Sequence, residues 1–320
     1  MTGELTVKGT SELATLSENA RRYAGKARSA NTLRAYSAAL REFDQFALSR
    51  GESPLPAATV TVIEYITALA DRGAAVNTIG VKLAAIAFSH RVAQLPDPTV
   101  FESVKVVMSG IRRAIGCSVT KKTAATLEGL RAMLETLPQT ARGMRNRAIL
   151  LVGFAGAFRR SELAALDVAD VSFTDESVTV TLRQSKTDQD SEGLVTVIPA
   201  MGGELCPVQS LLDWLNVAQV ASGAVFRGVD RHGNVKVKRL TAQSIALVVK
   251  EAAKAAGLDW RSYSAHSLRS GFVTSAKRQN ASDSDVMEVT HHKSVAQMRE
   301  YSQASGVGAR RAVHAAFGVG

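Results

Sequence analysis

Only two cysteines, Cys117 and Cys206, occur in the 320 residues. A pair this sparse supplies no disulfide framework and fits a reducing compartment. Aromatic residues make up 5% of the chain, few for a protein that stacks single-stranded bases along a groove. The longest apolar run, Ala148 to Phe158, falls short of the roughly 20 residues that cross a bilayer. Met1 to Thr10 lacks the apolar centre of a signal peptide. No Gly-x-x-x-x-Gly-Lys-Ser/Thr loop is present to cradle a nucleotide triphosphate. His291 and His292 stand side by side, and neighbours on a helix point about 100° apart, a poor arrangement for one metal ion. No cofactor or metal is expected, and no membrane association. The expected location is the cytoplasm, with the nucleoid as the place of action.

Positive charge is plentiful. The net charge is +10, which suits a polyanion partner, and nucleic acid is the commonest one. Residues 21–50 carry Arg21, Arg22, Lys26, Arg28, Arg34, Arg41 and Arg50 against Glu42 and Asp44. Residues 104–131 carry Lys105, Arg112, Arg113, Lys121, Lys122 and Arg131 against Glu128 alone.

The apolar periodicity predicts a mainly α protein. Five helices are expected in residues 1–116, the first over Ser11 to Lys26. Asn31 or Thr32 would cap the second, and a Thr61/Glu64 capping box would open the third. A fourth is expected over Asn77 to Gln94 and a fifth over Thr99 to Ile115. Residues 117–125 are basic and aperiodic and are read as a linker. Residues 126–320 form a second, α-rich domain. Its centre is the apolar Met144 to Phe158 helix, and its small antiparallel sheet comprises Val168 to Phe173, Ser177 to Arg183 and Gly193 to Pro199. Lys186 falls on the hairpin tip between the last two strands. Further helices are expected near 207–219, 241–256, 267–279, 283–291 and 294–303. A C-terminal tail follows, with Val313 and Phe317 spaced for a short docking helix.

The chemistry concentrates in a few residues. Arg159 opens Arg-Arg-Ser-Glu-Leu at 159–163; His266 and Arg269 lie in His-Ser-Leu-Arg; His292 precedes Tyr301 by nine positions. Singly, each has an ordinary structural role: a solvated helix end, a helix-face pair, a packing tyrosine, a turn lysine. Together they form a set for handling a phosphate. Arginine forks bind phosphate oxygens and keep their charge. Histidine moves protons near neutral pH, and a phenol serves as a covalent nucleophile.

The order Arg159, Lys186, His266-x-x-Arg269, His292, Tyr301 resembles the tyrosine recombinase (phage integrase) family, with the layout of Cre recombinase and its relatives across nearly the whole chain. The resemblance implies an N-terminal helical core-binding bundle (1–116) and a catalytic domain (126–320). It implies a site-specific recombinase that makes a 3′-phosphotyrosine at Tyr301, acting as a homo-tetramer on two inverted-repeat sites in double-stranded DNA. Arg159 and Arg269 would clamp the phosphate and His292 would donate to it. His266 would take the tyrosine proton, Lys186 would protonate the leaving 5′ oxygen, and Glu162 would support the arginines. One departure stands out: the family often has glycine where this chain has His291. Two other functions are compatible with the same residues: a type IB topoisomerase that relaxes supercoils, and a DNA-binding accessory protein without catalysis.

Overall fold

A computed structural model describes residues 28–116, 122–183 and 193–292. The expected helices over Ser11 to Lys26 and 294–303, the C-terminal tail, Lys186 and Tyr301 lie outside the described residues. The chain divides into two compact units between Thr120 and Lys121. Eleven α-helices and five short strands occur among the described residues, so the protein is mainly α.

The first unit holds α1 (Ala30–Ser49), α2 (Thr59–Asp71), α3 (Val76–Val92) and α4 (Glu102–Ile115). Their apolar faces meet in a core that includes Phe43, Tyr65, Ile66, Ile79, Ile86 and Met108. Two caps differ from the sequence expectation. The side chain of Ser29, not Asn31 or Thr32, accepts the Thr32 N–H that opens α1. Thr61 is fully buried inside α2 and its hydroxyl donates to Glu52, so it caps nothing. A three-residue turn of tighter helix (Pro98–Val100) precedes α4, because Asp97 accepts from the Thr99 N–H and Phe101 then runs extended. Gly116 ends α4 at φ +80°, a conformation only glycine adopts without strain. Buried His90 bridges two segments: its Nδ1–H donates to Ile86 O at 2.8 Å, and its Nε2 accepts the Ala57 N–H at 2.9 Å.

The second unit is built on α6 (Ala141–Ala155), whose residues Ala148 to Val152 are all buried. Around it lie α5 (Leu127–Glu135), α7 (Arg160–Ala165), α8 (Pro207–Val217), α9 (Ala242–Ala255), α10 (His266–Arg278) and α11 (Asp283–Thr290). β1 (Val171–Phe173), β2 (Ser177–Leu182) and β3 (Leu194–Pro199) form an antiparallel sheet in that order. β2 alternates, with Val178, Val180 and Leu182 turned into the core. Val180 pairs with Thr196 across β3. A second hairpin, β4 (Arg227–Val229) with β5 (Val235–Arg239), was not anticipated from sequence. β4 has three residues and β5 is largely exposed, so neither leaves an apolar stripe. Arg145 is held by this hairpin: it is 6% exposed and donates to Arg227 O at 3.1 Å.

Lys122 to Thr126, the end of the basic stretch, dock on this unit. Thr123 N–H donates to Ser262 O at 2.9 Å and Ala125 N–H to Ser267 O at 2.8 Å. Ala125 is fully buried.

Candidate active site

Three short segments of the second unit converge, each for a local reason. The first is the turn from α6 to α7. Ala157 adopts φ +47° there, and Phe158 N–H closes back on Gly153 O at 3.2 Å. That turn leaves Arg159 as the N-cap of α7. Glu162, one turn in, accepts the Arg159 N–H through Oε2 at 2.7 Å and the Arg159 Nη1 through Oε1 at 2.7 Å. One carboxylate thus caps the helix and fixes the guanidinium's direction. Glu162 is 4% exposed and Arg159 20%.

The second segment is the start of α10. Ser267 Oγ accepts the Ser264 N–H at 2.9 Å and turns the chain into the helix. His266 and Arg269 then share a face, three residues apart. Gly153 makes the approach of α10 possible: a Cβ there would stand 2.9 Å from both Leu163 of α7 and Leu268 of α10.

The third is the end of α11. Ser282 and Asp285 cap its start reciprocally. At its end His291 takes the left-handed conformation, φ +52° and ψ +39°, and donates its N–H to Met287 O at 2.8 Å. That conformation favours glycine and is tolerated by few other residues. The family's frequent glycine at this position therefore has a backbone reason. Here the histidine side chain gains a partner: Nε2 lies 2.8 Å from the Thr196 hydroxyl on β3. The turn leaves His292 buried, 8% exposed, with Nδ1 2.8 Å from Thr290 Oγ1.

Arg269 joins the three. Although only 2% exposed, it donates through Nη1 to Ala157 O at 2.8 Å and through Nη2 to Thr290 O. One planar fork thereby holds the Arg159 turn and the His292 turn at once. The histidines sit in this positive field. Burial first, then Arg269 and Arg159, lower the pKa of His266 below the usual histidine value. Burial first, then Arg269, Arg159 and His266, bring His292 down to about 4. His291 is lowered by burial and Arg269, with Glu162 and Glu288 opposing. At neutral pH the site therefore presents fixed arginine charges beside neutral imidazoles.

The structure thus brings together Arg159, Glu162, His266, Arg269 and His292. Lys186 and Tyr301 lie outside the described residues. Three contributors were not anticipated from sequence: Ala157 and Thr290, whose carbonyls hold Arg269, and Thr196, which meets His291. A main-chain carbonyl leaves no mark in the residue alphabet. Among the described residues, no cluster of three or more His, Cys, Asp or Glu is arranged for a metal ion, and no helix is long and apolar enough to cross a membrane.

Residues 125–306 match the phage integrase family, and residues 23–93 match the phage integrase N-terminal SAM-like domain. The chain belongs to the phage integrase family. It is a tyrosine recombinase, of the enzyme class that breaks and rejoins DNA strands. An integrase/recombinase xerD homolog of Selenomonas ruminantium is 34% identical over 297 residues, covering 91% of this chain and 87% of the relative. The Cre-like layout expected from the motifs fits. Recombinase cre of Escherichia phage P1 is 26% identical over 255 residues, 73% of this chain and 72% of Cre. In fold, the chain is similar to XerH site-specific recombinase bound to palindromic difH in a post-cleavage complex. The TM-score is 0.65 at 18% identity, covering 88% of this chain and 78% of XerH.

Glu162→Ala is expected to lower the stability of the second unit by about 2–3 kcal/mol, since it removes a helix cap and one half of a largely buried ion pair. Glu162→Gln should recover part of this by keeping the cap acceptor. Denaturant unfolding of the two variants checks the order; equal stability of Glu162→Ala and wild type would contradict it.

Proposed function

We propose that this protein is a site-specific recombinase that cuts and rejoins duplex DNA through a 3′-phosphotyrosine at Tyr301, as a tetramer on two inverted-repeat sites. The observation that carries the reading is the convergence of Arg159, His266 and His292 around the buried Arg269. Two arginines, one held by Glu162 and the other by two main-chain carbonyls, suit the non-bridging oxygens of a phosphodiester, whose charge grows in the transition state. His266, neutral at pH 7, is available to accept the phenol proton as Tyr301 attacks phosphorus. His292 contributes a hydrogen bond to the phosphate, and Glu162 orients Arg159. Lys186 gives its proton to the departing 5′ oxygen. A 5′ hydroxyl from a partner strand then attacks the phosphotyrosine and releases Tyr301. One phosphoester replaces another at each step, so the sequence of steps needs no ATP.

In the same proposal residues 1–116 form the core-binding bundle, 117–125 the linker and 126–320 the catalytic domain. The basic helices of the bundle bind the same duplex. Phosphate contacts supply most of the affinity and make binding fall steeply with salt. The palindromic difH substrate of XerH supports an inverted-repeat target. The protein would act in the cytoplasm, on the nucleoid.

The test is incubation with nicked duplexes drawn from the DNA flanking the gene, followed by denaturing electrophoresis. Wild type should yield a covalent protein–DNA adduct and Tyr301→Phe none. An adduct with the phenylalanine variant, or its absence with wild type across inverted-repeat substrates, would remove Tyr301 from the reaction. Supercoil relaxation by monomers at any sequence would point to a topoisomerase instead.

A further inference from the structure

Thr290 is fully buried at the last position of α11. Its hydroxyl donates to Val286 O at 2.7 Å and also lies 2.8 Å from His292 Nδ1. A hydroxyl has one proton to give. A carbonyl oxygen has none, so the Val286 contact must use the threonine's. The contact with His292 then takes its proton from the ring. The neutral ring is therefore the Nδ1–H tautomer, with its lone pair on Nε2. A lone pair cannot donate to a phosphate oxygen.

We propose that Thr290 is a positioning residue: it fixes His292 as the Nδ1–H tautomer, so that Nε2 acquires a proton to donate only when a phosphate group occupies the site. The proposal rests on the phosphate-facing role given to His292 above. The proton comes from solvent and bonds to Nε2, and no other bond changes.

The charged groups around the ring agree with this. Arg269 and His266 face it from α10, and Arg159 from the start of α7. His291 adjoins it, within the field of Glu162 and Glu288. With a pKa lowered to about 4 by burial and these cations, His292 is neutral before DNA binds. One phosphate charge at about 4 Å, in a medium of intermediate dielectric, raises the proton affinity of such a ring roughly a thousandfold. The phosphate offsets the two arginines that oppose protonation. Proton uptake on binding has a definite sign: affinity for the phosphate falls as pH rises through the titration of the bound state.

The test uses the full chain with isotopically labelled histidine and proton–nitrogen correlation spectra, which distinguish the two tautomers. His292 is assigned from the signal lost in His292→Gln. Without ligand, wild type and Thr290→Ser should show Nδ1–H, whereas Thr290→Val, which keeps the shape but not the oxygen, should move to Nε2–H. Excess inorganic phosphate should raise the proton affinity of His292 at least tenfold in wild type. Three results would each overturn the proposal: an Nε2–H ring in wild type, an unchanged tautomer in Thr290→Val, or a titration that phosphate leaves where it was. Should Thr290→Val not fold, the wild-type and serine spectra with the phosphate titration decide alone. The covalent-adduct assay is a separate measurement, so loss of the recombinase reading is distinguishable from loss of this one.

Discussion

Replacing Arg269 by alanine is expected to lower the rate of covalent adduct formation by at least about 10²–10³, the usual consequence of losing one preorganised donor at a developing oxyanion. The structure adds a second cost. Arg269 is 2% exposed and donates to two main-chain carbonyls. Its removal leaves Ala157 O and Thr290 O buried without that donor, at about 1–3 kcal/mol each. Such a loss is a large part of a typical stability of about 5–15 kcal/mol. It also frees the two turns that carry Arg159 and His292, so the rate should fall further than one lost donor explains. Arg269→Lys separates the effects. Lysine keeps the charge but lacks the planar fork, so it should recover part of the stability and little of the rate. Thermal unfolding and single-turnover adduct formation, measured on both variants, check this. Adduct formation by Arg269→Ala within tenfold of wild type would mean that Arg269 is not a phosphate clamp.

Gly271→Ala is expected to be as damaging without touching any reactive group. Gly271 lies in α10, two residues beyond Arg269. A Cβ at this position would stand 1.9 Å from Ala125 O and 2.5 Å from Ala125 C. Both are backbone atoms and cannot rotate away. Either Lys122 to Thr126 peel from the helix, breaking the Ala125 N–H to Ser267 O bond and exposing buried Ala125, or α10 shifts and carries His266 and Arg269 with it. A loss of about 3 kcal/mol or more is expected, at the upper end for overpacking, together with loss of adduct formation. Gly110→Ala is the control: it lies inside α4 with nothing within 4 Å of the added carbon. There alanine should stabilise by about 0.5–1 kcal/mol through helix propensity. Denaturant midpoints of the two variants are the measurement, and a Gly271→Ala protein as stable as wild type would contradict the close packing.

The contrast between these two glycines shows where a linear reading stops. Both sit in helices with similar local sequence. Only the docked backbone of Ala125 makes one of them irreplaceable. Other elements were legible because their signals are local. The 3.6-residue spacing of apolar side chains predicts most of the described helices, and the alternation over Ser177 to Arg183 predicts β2, which ends one residue earlier at Leu182. Caps were less legible. Thr61 has capping-box spacing with Glu64, yet the helix begins before it and tertiary packing buries its side chain. The β4–β5 hairpin escaped notice because β4 is short and β5 largely solvent-facing, so burial wrote little into their sequence.

The site divides in the same way. Arg159, Glu162, His266, Arg269 and His292 are visible as residue types in order, because phosphate chemistry limits which side chains serve. The nine-residue step to Tyr301 singles out His292 over His291 in the sequence, and the fold shows how differently the two rings are placed. The left-handed turn at His291 directs one ring to Thr196 and leaves the other beside Arg269, Arg159 and His266.

By itself, then, the sequence determined what depends on short range: most of the described helices, their apolar faces, the strands of the three-stranded sheet and the reactive alphabet. Tertiary structure decided how Arg269 is held, since its two carbonyl partners lie 112 and 21 residues away. It also decided what faces His292 Nδ1, a buried threonine hydroxyl 2.8 Å away that is itself 2.7 Å from the Val286 carbonyl. Hydrogen bonds of this kind depend on distances of tenths of an ångström between segments remote in the chain, and no periodicity encodes them.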